Sequence, residues 1–318
     1  MLADKLEGNT LRTRLVMVGV FIGAIIALSL NVAFSSGSGG SGGADGTAAA
    51  KAAFQSPAGS CLFWAQPDAS DIHIVPCDQP HLDEVTGVVN IAGQYGPGVP
   101  EPTTDQWLDL ALSQCSDGAQ TYLGKPLDPY GKFSVSGLRP SAADWAGGDR
   151  EMRCVLQWAA PGGALQPVTG KAADQSQAPV FAPGTCLSLI NKSVGNPIDC
   201  AQPHAYEIIA TVDLKTHFTG DFPTEDDQST WLDTQCNNAV QSYAGGLDLA
   251  ARNLIVSWDT RQQESWDAGS TLVNCKVGAK LPDNSGLQAI TGSIKTSAQG
   301  APQPGGSPSP NGQPPAGG

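Results

Sequence analysis

Eight cysteines fall into two sets of four with nearly the same spacing, and this pattern limits what the chain can fold into more than any other feature. Cys61, Cys77, Cys115 and Cys154 are separated by 16, 38 and 39 residues. Cys186, Cys200, Cys236 and Cys275 are separated by 14, 36 and 39. The residues around them match as well. Cys77-Asp-Gln-Pro-His81-Leu-Asp-Glu84 pairs with Cys200-Ala-Gln-Pro-His204-Ala-Tyr-Glu207, and Gln114-Cys115 with Tyr122 pairs with Gln235-Cys236 and Tyr243. Trp145 and Trp266 each precede the last cysteine of their set, and Val135 and Val256 precede those tryptophans at equal distances. We read two copies of one domain over residues 57–158 and 181–280. Two copies are too few for a solenoid, whose stacked repeats need about three or more.

Reading each element twice gives the fold class. Residues 104–123 place Trp107, Leu110, Cys115, Ala119 and Tyr122 at helical spacing, with threonines able to cap the start and Gly124 to end it. The second helix is expected over 228–244, before Gly245. Strands are expected over 85–91, 133–138 and 152–158, and over 206–214, 254–258 and 271–277, with short apolar runs at 61–64 and 186–190 opening the copies. Each copy reads as β-β-α-β-β. The class is α+β, with one helix on a small antiparallel sheet per domain.

Before the copies, residues 15–34 contain no charged side chain. Twenty helical residues reach about 30 Å, the thickness of a bilayer's hydrocarbon core. A cleaved signal peptide is the alternative, but its apolar region is shorter, about 7–15 residues. Lys5, Arg12 and Arg14 precede the span, and no Lys or Arg follows it until Lys51. By the positive-inside rule residues 1–14 are cytoplasmic, 15–34 anchor the chain in the cytoplasmic membrane once, and the rest lies outside. Residues 35–56 read as a flexible Gly/Ser/Ala linker, 159–180 as a second linker, and 281–318 as a disordered Pro/Gly-rich tail.

The formal charge of −13 argues against nucleic-acid partners, which require a basic face. It equally disfavours docking on anionic lipid. Four cysteines in a small exported domain suit a disulfide frame. Spacing leaves three connectivities open within each copy. Neighbour pairing (Cys61–Cys77, Cys115–Cys154, Cys186–Cys200, Cys236–Cys275) is our expectation, each bridge contributing ~3–4 kcal/mol by loop entropy. The competing use of these residues is zinc, through Cys77-x3-His81 with Glu84 and Cys200-x3-His204 with Glu207. No Cys-x-x-Cys redox motif occurs. The His81/Glu84 and His204/Glu207 pairs could serve acid–base chemistry or could hold a turn together. No nucleophile, phosphate loop or cofactor motif accompanies them, and the expectation is no catalytic residue, no metal and no cofactor.

These residues resemble a known family. Cys77, Pro80, His81 and Glu84, then Trp231-Leu-Asp with Gln235-Cys236 on a helix, then Trp266 before Cys275, look like the septum-formation domain of actinobacterial envelope proteins. The first copy departs from the pattern, since Trp107-Leu-Asp lies three residues further from its cysteine. The resemblance implies a membrane-anchored protein with its domains outside the cytoplasmic membrane. It also implies a binding or scaffolding role in septum formation, with division or cell-wall proteins as partners. The rival expectation is an envelope enzyme or metal-binding protein using the His/Glu pairs.

Overall fold

The structure, a computed structural model, describes residues 43–295. The expected cytoplasmic segment 1–14, the expected span 15–34 and residues 296–318 lie outside the described residues. Among the described residues no helix is long and apolar enough to cross a membrane.

Helix α1 (Gly43–Phe54) opens the described chain. It corrects the expectation of a flexible linker through residue 56. Five alanines among residues 48–53 favour the helix. The helix also has somewhere to pack, since Ala53 is buried in a cluster with Leu62, Trp64 and Ile72.

The first half then runs β1 (Cys61–Phe63), β2 (His73–Val75), β3 (Asp83–Asn90), α2 (Thr104–Leu123), β4 (Phe133–Leu138), α3 (Ala142–Ala146) and β5 (Glu151–Trp158). The second runs β6 (Cys186–Ile190), β7 (Ser193–Ile198), β8 (His204–Asp213), α4 (Glu225–Ala244), β9 (Ile255–Trp258), α5 (Gln263–Asp267), β10 (Leu272–Lys280) and β11 (Leu287–Gln288). The fold is α+β with two antiparallel sheets. The first has the order β2-β1-β3-β5-β4. The second is ordered β7-β6-β8-β10, with both β9 and β11 pairing β10. Both halves carry an irregularity at the corresponding place, between Val85 and Gly87 where β3 meets β5, and between Cys275 and Lys276 where β10 meets β8, and β6 adds further register shifts in the second half.

Three features exceed the expected β-β-α-β-β. Strands β2 and β7 are short edge strands in which no apolar side chain is fully buried, so no apolar alternation marks them. Pro197 sits in β7, where an edge strand tolerates the missing N–H. Helices α3 and α5 are single turns that carry the buried Trp145 and Trp266. Helix α4 starts at Glu225 rather than 228, because its first turn is acidic, with no apolar residue to reveal the period. Those acids and the Thr224 cap, which accepts from the Asp227 amide, suit a helix N-terminus. Helix α2 is held by a capping box between Thr103 and Gln106 and ends at Gly124, whose φ of 66° is left-handed.

Each long helix covers one face of its sheet. Trp107, Leu110, Cys115 and Ala119 pack against Phe133, Val135, Met152 and Leu156. Leu232, Cys236 and Val240 pack against Val273, Cys275 and Val277. The disulfides join Cys61–Cys77, Cys115–Cys154, Cys186–Cys200 and Cys236–Cys275, and no cysteine among the described residues is free. In each half one bridge ties the long helix to a central strand, and the other closes the first hairpin.

The expected linker 159–180 and the first part of the expected tail, residues 281–295, are ordered, which corrects both readings. In the first half Ala159 bridges Leu165, Val168 bridges His81, and Ala172–Asp174 forms a turn of 3₁₀ helix. In the second, Lys280 pairs with Leu287 in β11 and Ile290 bridges His204. These return segments look like linkers in composition because a few apolar anchors suffice. Val168, Ala172, Ala178 and Ile294 are buried, and backbone hydrogen bonds supply the rest.

Candidate functional site

The return segments converge on the two Pro-His-x-x-Glu elements. In the first half the His81 and Val168 backbones exchange hydrogen bonds, each of 2.9 Å. The His81 ring sits 2.9 Å from the Gln79 carbonyl through Nδ1. A carbonyl can only accept, so Nδ1 carries the proton and Nε2 faces inward. Nε2 lies 3.8 Å from Glu84 Oε2, close enough to attract but too far to hydrogen-bond, and it has no other partner among the described residues. The Glu84 carboxylate is fully engaged. Tyr122 Oη, from α2, donates to Oε1, and the Ala172 amide donates to Oε2 at 2.7 Å. His81 is 0 % and Glu84 1 % exposed.

The second half repeats this arrangement. His204 Nδ1 donates to the Gln202 carbonyl at 2.8 Å, and the His204 and Ile290 backbones pair. Glu207 accepts from Tyr243 Oη at 2.7 Å, from Ser293 Oγ at 2.6 Å and from the Ile294 amide at 2.8 Å. His204 Nε2 is again buried without a partner among the described residues.

Electrostatics follow from burial and contact. Burial alone pushes the His81 imidazole down, but Glu84 and the Gln79 carbonyl outweigh it and hold its pKa above the ordinary value. Burial pushes Glu84 up, and His81, the Tyr122 hydroxyl and the Ala172 amide reverse that and hold it below the ordinary carboxylate value. Burial and the adjacent carboxylates raise the phenols of Tyr122 and Tyr243. Asp83, beside Glu84 in the chain, is different. Burial lifts its carboxyl to about 7, only partly opposed by the charge of His81.

A metal reading can be tested on the donors. The ligating atoms of Cys61, His81 and Glu84 lie within 4.8 Å of one another, as do those of Cys186, Cys200 and Glu207. A zinc site of this kind binds thiolate. All these sulfurs are in disulfides, and the carboxylates already accept two or three hydrogen bonds, so the donor sets do not fit zinc. What each arrangement does is clamp: strand, helix and return segment meet on one buried carboxylate.

The structure therefore brings His81 and Glu84 together beside the Cys61–Cys77 bridge, whereas in the second half only Glu207 lies beside its bridge, and no ion-pair contact among the described residues joins it to His204. Tyr122 and Tyr243 complete the clamps. Their matched spacing after Cys115 and Cys236 is the sequence signal for them. The amides of Ala172 and Ile294 leave no such signal, because a backbone donor carries no residue preference.

Residues 58–275 match the Septum formation family, and the chain belongs to it. It is 32 % identical over 245 residues to the uncharacterized membrane protein Rv3835 of Mycobacterium tuberculosis strain H37Rv, and equally to the uncharacterized membrane protein MT3943 of strain CDC 1551. Each match covers 74 % of this chain and 54 % of the relative, so the chain spans about half the length of the curated relatives it matches. No solved structure matches it.

Proposed function

We propose that the chain is a non-catalytic binding or scaffold protein of the cell envelope, anchored once in the cytoplasmic membrane with its folded part outside. In this reading it works with division or cell-wall proteins at the septum. One observation carries the reading: among the described residues, the histidine and glutamate assembled in each half are buried, and the glutamate is spent, with a half-buried tyrosine, on holding chain segments together. A general acid or base must reach the proton it moves. Imidazoles with no exposed surface, behind a disulfide and a paired return segment, are placed for architecture. The matching strand orders and clamps support a duplicated unit. Four disulfides suit the oxidising side of the membrane, the apolar run at 15–34 suits an anchor, and both relatives are named membrane proteins.

The test is a fluorescent fusion in growing actinobacterial cells, combined with thiol alkylation and external protease treatment. The reading requires enrichment at division sites, blocked thiols, and protease access from outside. Even distribution along the envelope would remove the septal role, and free thiols in freshly lysed cells would remove the extracytoplasmic placement.

A further inference from the structure

At one place on the sheets the two halves are filled by different side chains, and there the first half contains a cavity. The second half fills this position with its own side chains. Tyr206, two residues after His204, lies across Gly278, where a Cβ would come 2.5 Å from the ring. Lys276 stands over the Tyr206 ring at 5.0 Å and pairs with Asp259. The first half substitutes every member of this set. Asp83 stands two residues after His81, Gln157 takes the place of Gly278, Val155 that of Lys276 and Leu138 that of Asp259. The register is the same, Asp83 opposite Gln157 as Tyr206 is opposite Gly278.

The exchange removes an aromatic ring and an ammonium group and leaves a carboxyl. A cavity of about 530 Å³ opens there, with Asp83 and Gln157 in its polar wall and Phe54, Trp107 and Leu138 in its apolar wall. Glu101 and Arg139, 3.3 Å apart, form part of its lining and neutralise each other. Asp83 is 1 % exposed, and its Oδ1 has no hydrogen-bond partner among the described residues. Among the described residues no lysine or arginine pairs with it. A buried carboxyl without partners costs stability, and its natural complement is a cation that also donates hydrogen bonds. The volume is that of a small-molecule site.

We propose that this cavity binds a small organic ammonium compound, its charged nitrogen against Asp83 and its apolar body between Phe54, Trp107 and Leu138. The incoming nitrogen takes the place that Lys276 occupies on the second sheet. The site is independent of the septal reading, because its loss leaves anchor, disulfides and clamps in place.

Benzylamine and its uncharged analogue benzyl alcohol are the probes, titrated calorimetrically into the full chain in detergent. Benzylamine should saturate and bind at least about tenfold more tightly than the alcohol, the size of one charge-assisted hydrogen bond. In Asp83→Asn, assayed in the same detergent to correct for micelle partitioning, that preference should vanish. Asp83→Tyr combined with Gln157→Gly, which copies the second half, should lose both probes. Equal binding of the two probes to the unaltered chain, no binding of benzylamine, or full benzylamine preference surviving in Asp83→Asn would each overturn the proposal.

Discussion

The Ala172 amide donates to Glu84 Oε2 at 2.7 Å across a sequence separation of 88 residues. The Ile294 amide does the same to Glu207 at 2.8 Å across 87. Each bond fastens a segment of linker-like composition to a buried strand, and each carboxylate also holds a tyrosine of the long helix. Removing the carboxylate orphans several donors at once. Glu84→Ala and Glu207→Ala should each cost about 3 kcal/mol in urea unfolding, the scale of buried donors left unsatisfied. Limited proteolysis should then cut first within 159–180 in one variant and within 281–295 in the other. If both variants resist protease as the parent does, the return segments are held by something else.

The His81–Glu84 pair ties the stability of the first half to pH. The folded His81 pKa is raised above 6.5, so its contribution is complete below that value and is lost as pH rises through the folded pKa. The folded Glu84 pKa is depressed below 4.5, so its contribution is present above that value and is lost as pH falls through the folded pKa. The pair is therefore most stabilising in the window between the two. Urea midpoints measured across this range should pass through a maximum there. In His81→Gln the decline on the alkaline side should flatten, and an unchanged alkaline slope in that variant would refute the assignment.

Asp83 acts in the same direction as His81 on the alkaline side. Its folded pKa is raised to about 7 from 3.8 by burial. Its protonated form therefore favours the fold below 3.8, and that advantage is lost as pH rises to about 7. Asp83→Asn keeps the shape and removes the ionisation. The variant should be more stable than the parent at pH 8, with the gap closing as pH falls towards 4. Thermal unfolding at several pH values measures it, and a variant less stable than the parent at every pH would show that the carboxylate has a partner.

Much of this architecture could be read from the chain because two sets of four cysteines with matching neighbours offer two readings of each element. The helix over 104–123 carries an apolar period, a threonine cap and a terminal glycine, and its ends in the structure coincide with those signals. The neighbouring cysteines and the pairing of His81 with Glu84 are visible as spacing. The elements that leave no trace in the sequence lack a side-chain signature. Strand β2 is three residues, none of them buried, and β11 is two. The return segments are anchored by isolated residues such as Val168 and Ile294 and by main-chain amides, which composition cannot distinguish from a linker. The significance of Asp83 needs the structure, since a lone aspartate in a strand is unremarkable until it proves buried with no lysine or arginine paired to it among the described residues.

The disulfides between helix and strand should carry much of each half's stability. Replacing Cys115 and Cys154 together by serine opens a loop of 39 residues. Loop entropy alone sets that cost at ~3–4 kcal/mol. The same change at Cys236 and Cys275 opens a loop of equal length, so the two costs should be similar. Because all four positions are buried, the introduced hydroxyls add to the penalty. Denaturant unfolding of the two double variants checks this, and a loss under about 1 kcal/mol in either would mean that packing of the helix already suffices there.

Two glycines should separate close packing from mere permissiveness. Gly278 lies under the Tyr206 ring, and an added Cβ would sit 2.5 Å from both the Ala205 carbonyl oxygen and that ring. The carbonyl belongs to the paired strand and cannot move aside without disturbing the ladder that positions His204 and Glu207. At Gly87, where β3 pairs irregularly with β5, an added methyl group would meet nothing within 4 Å, and the backbone φ is not positive. Gly278→Ala should therefore destabilise by about 1–3 kcal/mol, the usual cost of overpacking. Gly87→Ala should be neutral or slightly stabilising, since alanine restricts the unfolded chain more than glycine does. Equilibrium unfolding of the two variants side by side decides it: equal losses would mean that Tyr206 does not rest on Gly278, and the contrast between the filled second sheet and the open first one would fall with it.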